Sequence, residues 1–453
     1  MNRVPHLRKL SLVVASLAAL AGCSSIGDLV TFGNAEREAE EAADRAGRIA
    51  MVLGDEALAA DPELATSPIV LPVAESLTEW PEAGSRPSKV VGHVLAGESL
   101  EIAWSRNVGA GSGRDSALTA APVANANHIY VLDADQRVHA LDLQTGSPVW
   151  DHKIVSSNER DRVSIGGGIA LGGDRLVVSS GFGSVTALDA ETGRVIWTRE
   201  TEAPMTGSPT IKDGRIFVTS NNNEVLVMAL EDGQLQWSDQ AIAEPARVLG
   251  SPSPAAVEDI VVVPYSSGEV IAYLSSNGRR LWSDALSRPG RFTPISAIND
   301  IAARPVLAGG LVIVANQSGV TAGIDGRSGN RIWAQGIGST QAPALAGEYI
   351  FIAGTDATLA ALEAETGRVY WATQMVPFRD MDDEKGRLSY SGPIVAGGRV
   401  IVVSSQGDMV AFDPQTGQPV DRIDLGERVY LEPIAVGEHL FVLTDDARLL
   451  AIR

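Results

Sequence analysis

Beyond residue 100 the chain is built of short apolar runs, five or six residues long, that come in a fixed order between turn residues. An acid- or glycine-led run (DRLVVSS, GRIFVTS, EYIFIAG, GRVIVVS, EHLFVLT) is followed by a second run (VTALDA, VIAYLS, LAALEA, MVAFDP), then by a tight turn and a further run. Runs of this length, rich in Val, Ile and Leu and bounded by Gly, Asp and Pro, predict β-strands rather than helices. A Pro usually opens each unit, at Pro122, Pro209, Pro254, Pro305, Pro343, Pro393 and Pro433, with Gly168 in the remaining slot. Each unit therefore predicts four strands.

The turn is the most regular part of the unit. Its glycine recurs at Gly146, Gly193, Gly233, Gly278, Gly329, Gly367 and Gly417, and four residues after each of the first six stands a Trp: Trp150, Trp197, Trp237, Trp282, Trp333 and Trp371. Asp421 holds that place in the seventh. The pattern Asp/Glu-x-x-Thr-Gly predicts a turn whose glycine supplies a positive φ. The Trp is expected to wedge between neighbouring units, a structural role rather than a ligand-stacking one. Four-stranded units repeating at roughly 45 residues predict a β-propeller, in which each sheet is covered by its neighbours. The last run, ARLLAIR, has no turn after it, so LEIAWSRNVG (residues 100–109) is expected to supply the missing outer strand, with Trp104 at the Trp position. The expected fold is all-β, an eight-bladed propeller over residues 100–453 closed by an N-terminal strand.

The segment before the repeat reads differently. Arg3, Arg8 and Lys9 precede the apolar run 10–20, which ends in LAGC with Cys23 as the only cysteine. The run is shorter than the ~20 residues a spanning helix needs and fits an export signal, residues 1–22. A single cysteine excludes an internal disulfide. Residues 23–99 lack sustained periodicity and are expected to be a spacer, partly helical (around 34–50) or disordered. The formal charge is −20, and removing Arg3, Arg8 and Lys9 takes it to −23. No basic stripe offsets it, which argues against nucleic acid as a partner.

The motif A-L-D-x-x-T-G-x-x-x-W resembles the repeat of the pyrroloquinoline-quinone family of propellers over essentially all of residues 100–453, and LAGC followed by Ser24 and Ser25 resembles a bacterial lipobox. The lipobox resemblance implies lipidation at Cys23 and an outer-membrane location facing the periplasm. Two branches share the repeat. Quinoprotein dehydrogenases resemble one another in an adjacent cysteine pair, a carboxylate and amide set for Ca²⁺, and a catalytic Asp. The single cysteine makes that pair impossible here, and the six His residues have no metal-ligand spacing. No cofactor, metal or catalytic residue is therefore expected, His128 and His139 reading as ordinary blade side chains. The other branch, the BamB lipoproteins of the machinery that assembles outer-membrane β-barrels, matches lipobox, spacer and blades together. That resemblance implies a non-catalytic subunit binding the periplasmic domains of BamA, alongside other subunits of the complex and unfolded barrel precursors. A quinoprotein-like dehydrogenase and a generic periplasmic protein-binding propeller lipoprotein are the alternatives.

Two neighbouring connections between units are long, 238–254 and 283–305, and a propeller puts them on one rim. In the first, Arg247-Val248-Leu249 is similar to an apolar-flanked Arg of the BamB family. In the second, Asn299-Asp300 is similar to an acidic contact segment ahead of Pro-Val, although Ala302 stands where a second Asp is often found. Arg304 is expected to join them in partner binding. A third long connection carries Asp380, Asp382, Asp383 and Glu384, which read as solvated charge.

Overall fold

The computed structural model describes residues 58–156, 164–242, 252–286 and 300–453. Eight antiparallel four-stranded sheets follow one another along the chain: blade 1 at 123–153, blade 2 at 167–200, blade 3 at 210–240, blade 4 at 255–285, blade 5 at 306–335, blade 6 at 344–374 and blade 7 at 390–424. Blade 8 combines Ile434–Val436, His439–Leu443 and Arg448–Ile452 with Ile102–Asn107 from the other end of the sequence. The register of that closing strand sets Ile102 opposite Ile452 and Trp104 opposite Ala451. The eightfold propeller and its N-terminal closing strand are therefore as the repeat predicts. Among the described residues there is no α-helix.

The turn and the Trp act as one device. Asp142 Oδ1 accepts hydrogen bonds from the Thr145 backbone N–H and hydroxyl at 2.8 and 2.7 Å, and Asp189, Asp325 and Asp413 repeat the arrangement. The following strand then carries a one-residue bulge just before the Trp position in all eight blades, which re-aims the side chain. Each indole crosses to the next blade: Trp150 Nε1 donates to Ala190 O at 3.0 Å, Trp282 Nε1 to Gly326 O at 2.8 Å and Trp371 Nε1 to Pro414 O at 2.8 Å. The ring lies against the glycine of that next turn. A Cβ on Gly193 (φ +69°) would stand 2.4 Å from Trp150, and one on Gly146 would stand 2.7 Å from Trp104. Glycine is thus required twice over, by conformation and by the approaching indole.

The same device explains Asp421. Blade 8 takes its outer strand from residues 102–107, so no Thr-Gly turn exists there to receive an indole from blade 7. Instead Arg399 donates to Glu98 O at 3.1 Å and to Gly97 O, and faces Asp421 at 3.7 Å. At this one seam the place of the indole is polar, while the strands further in still pack apolar side chains of blades 7 and 8 together.

The boundary expected at residue 100 is not an edge of the packed unit, which extends upstream through the described residues 58–99. Residues 58–72 form an arm on the outer edge of blade 6, where Asp61 N–H bonds Val369 O at 2.8 Å and Leu64 and Ile69 pack on Tyr349 and Tyr370. Residues 75–97 then circle the axis as a lace on the face opposite the blade-to-blade connections. Leu77 O accepts from Gly437 of blade 8, Trp80 exchanges two bonds with Ala124 of blade 1, and Pro81 O accepts from Leu171 of blade 2. Pro87 O accepts from Ala256 of blade 4, Ser88 O from Leu307 of blade 5, and His93–Val94 pairs in parallel with blade 7. Backbone carbonyls meeting strand-end N–H groups need no apolar periodicity, which is why this stretch reads as a spacer. Its expected upstream part, 23–57, and the signal segment 1–22 with Cys23 lie outside the described residues.

Candidate functional site

In each blade the innermost strand starts on the rim where the connection from the preceding blade arrives, so every such connection lies on one face. The described parts of these connections carry a set of exposed apolar side chains: Val155 (71% exposed) and Ile165 before blade 2, Ile242 before blade 4, Val376 and Met381 before blade 7, and Tyr430 before blade 8. Solitary exposed aliphatic residues also dot the outer strands, as on most proteins. Those outer-strand residues, among them Val149, Val195, Leu235 and Val420, lie at the strand ends next to the glycine turns, on the lace side, where Val70, Val73 and Val257 are also exposed. What sets the rim apart is that its apolar side chains stand on the long connections, among polar residues, rather than on the strands. The rim also carries the hairpin Phe378–Asp380 and Lys385–Arg387, whose acidic tip is exposed and holds a 2.7 Å Asp383–Lys385 pair.

Of the residues singled out for partner contact, two, Asp300 and Arg304, are among the described residues. Arg247, Val248, Leu249 and Asn299 lie outside the described residues. Asp300 is only 3% exposed, its backbone carbonyl receiving the Gln317 N–H, so it supports the connection from beneath and is not a surface contact. Ile301 and Ala302 are buried beside it. Arg304 also departs from expectation. The step from the connection into the inner strand at Pro305 turns it to the ring's axis, where it pairs with Glu432 of the connection into blade 8.

That axis is the second feature of the site, and sequence reasoning missed it. A cavity of about 230 Å³ opens on the rim face between the approaches to blades 1, 3, 5, 6 and 8, and Ala83 of the lace lines it. Behind it Lys89 and Glu82, both from the lace, form a 3.1 Å ion pair with essentially no exposure. Burial pushes the Glu82 pKa up and the Lys89 pKa down, each opposed by the other's charge. Glu82 Oε2 also receives the Ile211 N–H at 3.3 Å. Two acids and two bases thus line the axis in balance. The only signal in the sequence is a Lys and a Glu seven residues apart in a stretch otherwise without pattern.

The histidines read as blade residues behave as such. His139 bonds Asp133 at 2.9 Å, and the same carboxylate accepts the N–H groups of Ala110, Asp135 and Arg137. Although burial alone would raise its pKa, the His139 and backbone bonds outweigh it and hold Asp133 below the ordinary value. The carboxylate is a turn organiser with its oxygens already occupied.

The family described as outer membrane protein assembly factor BamB matches residues 88–165, 134–373 and 380–453. A relative of that name from Moranella endobia is 27% identical over 241 residues, 52% of this chain and 62% of its own length. The chain thus spans about three-fifths of that relative. Among solved structures, BamB from Moraxella catarrhalis superposes with a TM-score of 0.66 at 18% identity, covering 78% of this chain and 99% of that one. A quinohemoprotein alcohol dehydrogenase from Pseudomonas putida HK5 gives 0.67 at 14% identity, covering 83% and 80%. Such likeness shows the fold alone. The residues present do not fit a quinone and its metal: the chain has one cysteine, and among the described residues no three His, Cys, Asp or Glu side chains are grouped to hold an ion.

Proposed function

The chain belongs to the family of outer membrane protein assembly factor BamB, and from that premise we propose that it is a non-catalytic, lipid-anchored subunit of the barrel-assembly machinery. The reading places it at the periplasmic face of the outer membrane, held by lipid on Cys23 and docking the periplasmic domains of BamA through the rim of blade connections. The observation that carries it is the set of apolar side chains exposed on the connections between blades. Val155, Ile165, Ile242, Val376, Met381 and Tyr430 are exposed on the rim, and an apolar set within a polar surround is the composition of a protein-binding patch. On the opposite face the lace already occupies inner-strand ends with its backbone bonds.

The test is copurification of the full-length protein from solubilised membranes. A large barrel protein with periplasmic domains is expected in the wild-type eluate. Replacing Val376 and Met381 with Asp is expected to deplete it with an unchanged melting temperature. Undiminished recovery would remove the rim from the interface, and absence of any such barrel protein from the wild-type eluate would overturn the assignment.

A further inference from the structure

The arm on blade 6 shows how a peptide segment sits in the groove between two blades. Gln415, in the turn of blade 7, exchanges two bonds with it: Gln415 Oε1 accepts the Ile69 N–H at 2.7 Å, and Gln415 Nε2 donates to Ser67 O at 3.1 Å. A carboxamide has one donor and one acceptor side, so it pairs with a backbone as another peptide unit would. Across the groove the hydroxyl of Tyr349, first residue of the second strand of blade 6, accepts the Val70 N–H at 3.1 Å. Ile69 packs in one cluster with Phe351 and Trp371. At the acidic start of the arm, Arg368 faces Asp61 at 3.8 Å and Glu63 at 3.3 Å.

The seam between blades 8 and 1 repeats this groove without an arm in it. Among the seven turns, glutamine stands two residues before the glycine only at Gln415 and Gln144. The Gln144 carboxamide is exposed and, among the described residues, unbonded. By register His439 takes the place of Tyr349 and Phe441 that of Phe351, with Trp104 against Phe441 at 5.8 Å. The six other wedge indoles each donate to the turn of the next blade, and that of Trp104 does not. A cavity of about 370 Å³ opens there between Leu143, Gln144, His439 and Phe441, closed on one side by Leu77 of the lace. One difference is decisive. The Glu363 N–H bonds Arg368 O in blade 6, and the same bond in blade 8 runs from the Arg453 N–H to Glu101 O, so the two charges are exchanged.

We propose that the groove between blades 8 and 1 docks an extended segment of a partner polypeptide, an aliphatic pair preceded by a basic residue. It lies on the face opposite the rim, so it goes beyond the rim reading and does not rest on it. The backbone beside the pair bonds Gln144, and its aliphatic side chains enter between Phe441 and Leu143. A Lys or Arg six to eight positions upstream meets Glu101, as Glu63 and Asp61 precede Ile69 in the arm. Glu101 is exposed, and its carboxylate has no partner among the described residues. The exchanged charge disfavours the arm of a second copy, whose acids would face Glu101.

The probe is a fluorescein-labelled peptide with the sequence of residues 61–70 carrying Asp61→Lys and Glu63→Lys, titrated into the full-length protein and followed by anisotropy. The unchanged 61–70 peptide is the comparison. The basic peptide is expected to bind saturably and about tenfold more tightly than the acidic one. Gln144→Ala, which removes two hydrogen bonds, is expected to weaken it about tenfold, and Gln415→Ala, at the filled groove, to leave it within about twofold. Glu101→Arg restores the charge found in blade 6 and is expected to reverse the order of the two peptides, which a merely structural residue would not do. No saturable binding of the basic peptide, equal losses in the two glutamine variants, or an unchanged order in Glu101→Arg would overturn the site. The Val376 and Met381 variants are expected to keep full peptide binding, so a failure of the rim reading and a failure of this groove are told apart.

Discussion

Replacing Gly193 with alanine adds one methyl group where the turn of blade 2 receives the indole of blade 1, and its cost can be worked from the structure. The residue sits at φ +69°, so any side chain there meets the left-handed penalty, about 1–2 kcal/mol. The new Cβ stands 2.4 Å from Trp150 Cε3 and 2.7 Å from Cδ2, closer than real contacts allow, so the indole must move. Overpacking of this kind costs about 1–3 kcal/mol. Displacement also strains the 3.0 Å bond from Trp150 Nε1 to Ala190 O, worth about 1 kcal/mol. The expected loss is roughly 3–6 kcal/mol. Gly214 provides the control: its φ is +70°, yet nothing lies within 4 Å of the added Cβ. Its alanine variant is expected to lose only the backbone part, about 1–2 kcal/mol, and the alanine's effect on the unfolded chain is common to both and cancels. Urea unfolding followed by Trp fluorescence measures the difference. If the two variants agree within about 0.5 kcal/mol, the limit at which independent sites are distinguished, the glycine–indole wedge does not hold the blades together.

Further expectations concern the lace, the axial charges and the turns. Trp80, 1% exposed, has an indole N–H with no partner among the described residues, so Trp80→Ala should cost about 3–5 kcal/mol in urea unfolding and Trp80→Phe less than about 1.5 kcal/mol; equal losses would mean that the ring's volume does not carry the effect. Lys89→Met should lower stability by about 3–5 kcal/mol because it strands Glu82, whereas Lys89→Met with Glu82→Met should come close to wild type or exceed it. A double variant as unstable as the single one, in thermal melting, would show that the pair itself supports the ring. Thr145 and Thr192 hydroxyls, and that of Ser328, hold the carboxyls of Asp142, Asp189 and Asp325 below their ordinary pKa of 3.8. Folded values below unfolded ones mean that their stabilisation is complete above that pH and is lost as pH falls through the folded midpoints. Carboxyl-carbon NMR should report those low midpoints, and Thr145→Val should move that of Asp142 upwards.

What could be read before folding was whatever repeats. Eight sheets, the glycine turn and the borrowed strand with Trp104 were legible because each blade solves the same packing problem with the same residues. Asp421 was visible as a departure from the pattern, but its reason was not, since the seam it occupies depends on where the two ends of the sequence meet. The lace was not legible because its bonds run through backbone carbonyls, which leave no trace in residue type. Arg304 and Asp300 looked like surface charges because they sit in a long connection rich in polar and small residues. In the structure the segment dives inward before blade 5, burying Asp300 and turning Arg304 to the axis. A long connection signals which rim it belongs to, and its length says nothing about which of its side chains face water.

The lace also dictates an order of events during biogenesis. Its residues leave the ribosome before any blade exists, yet they bond to positions as distant as Ala256, Leu307 and Gly437, and the closing strand must find Arg448–Ile452. Hairpins within blades are local and quick to form, whereas contacts of such sequence separation are slow. The lace therefore docks only after the blades it bonds have formed, and until the final strand has emerged the chain has no closed ring. A chain whose ring is fastened by its two most distant strands stays open for as long as it is being made, and the propeller becomes one body only after synthesis of its last blade.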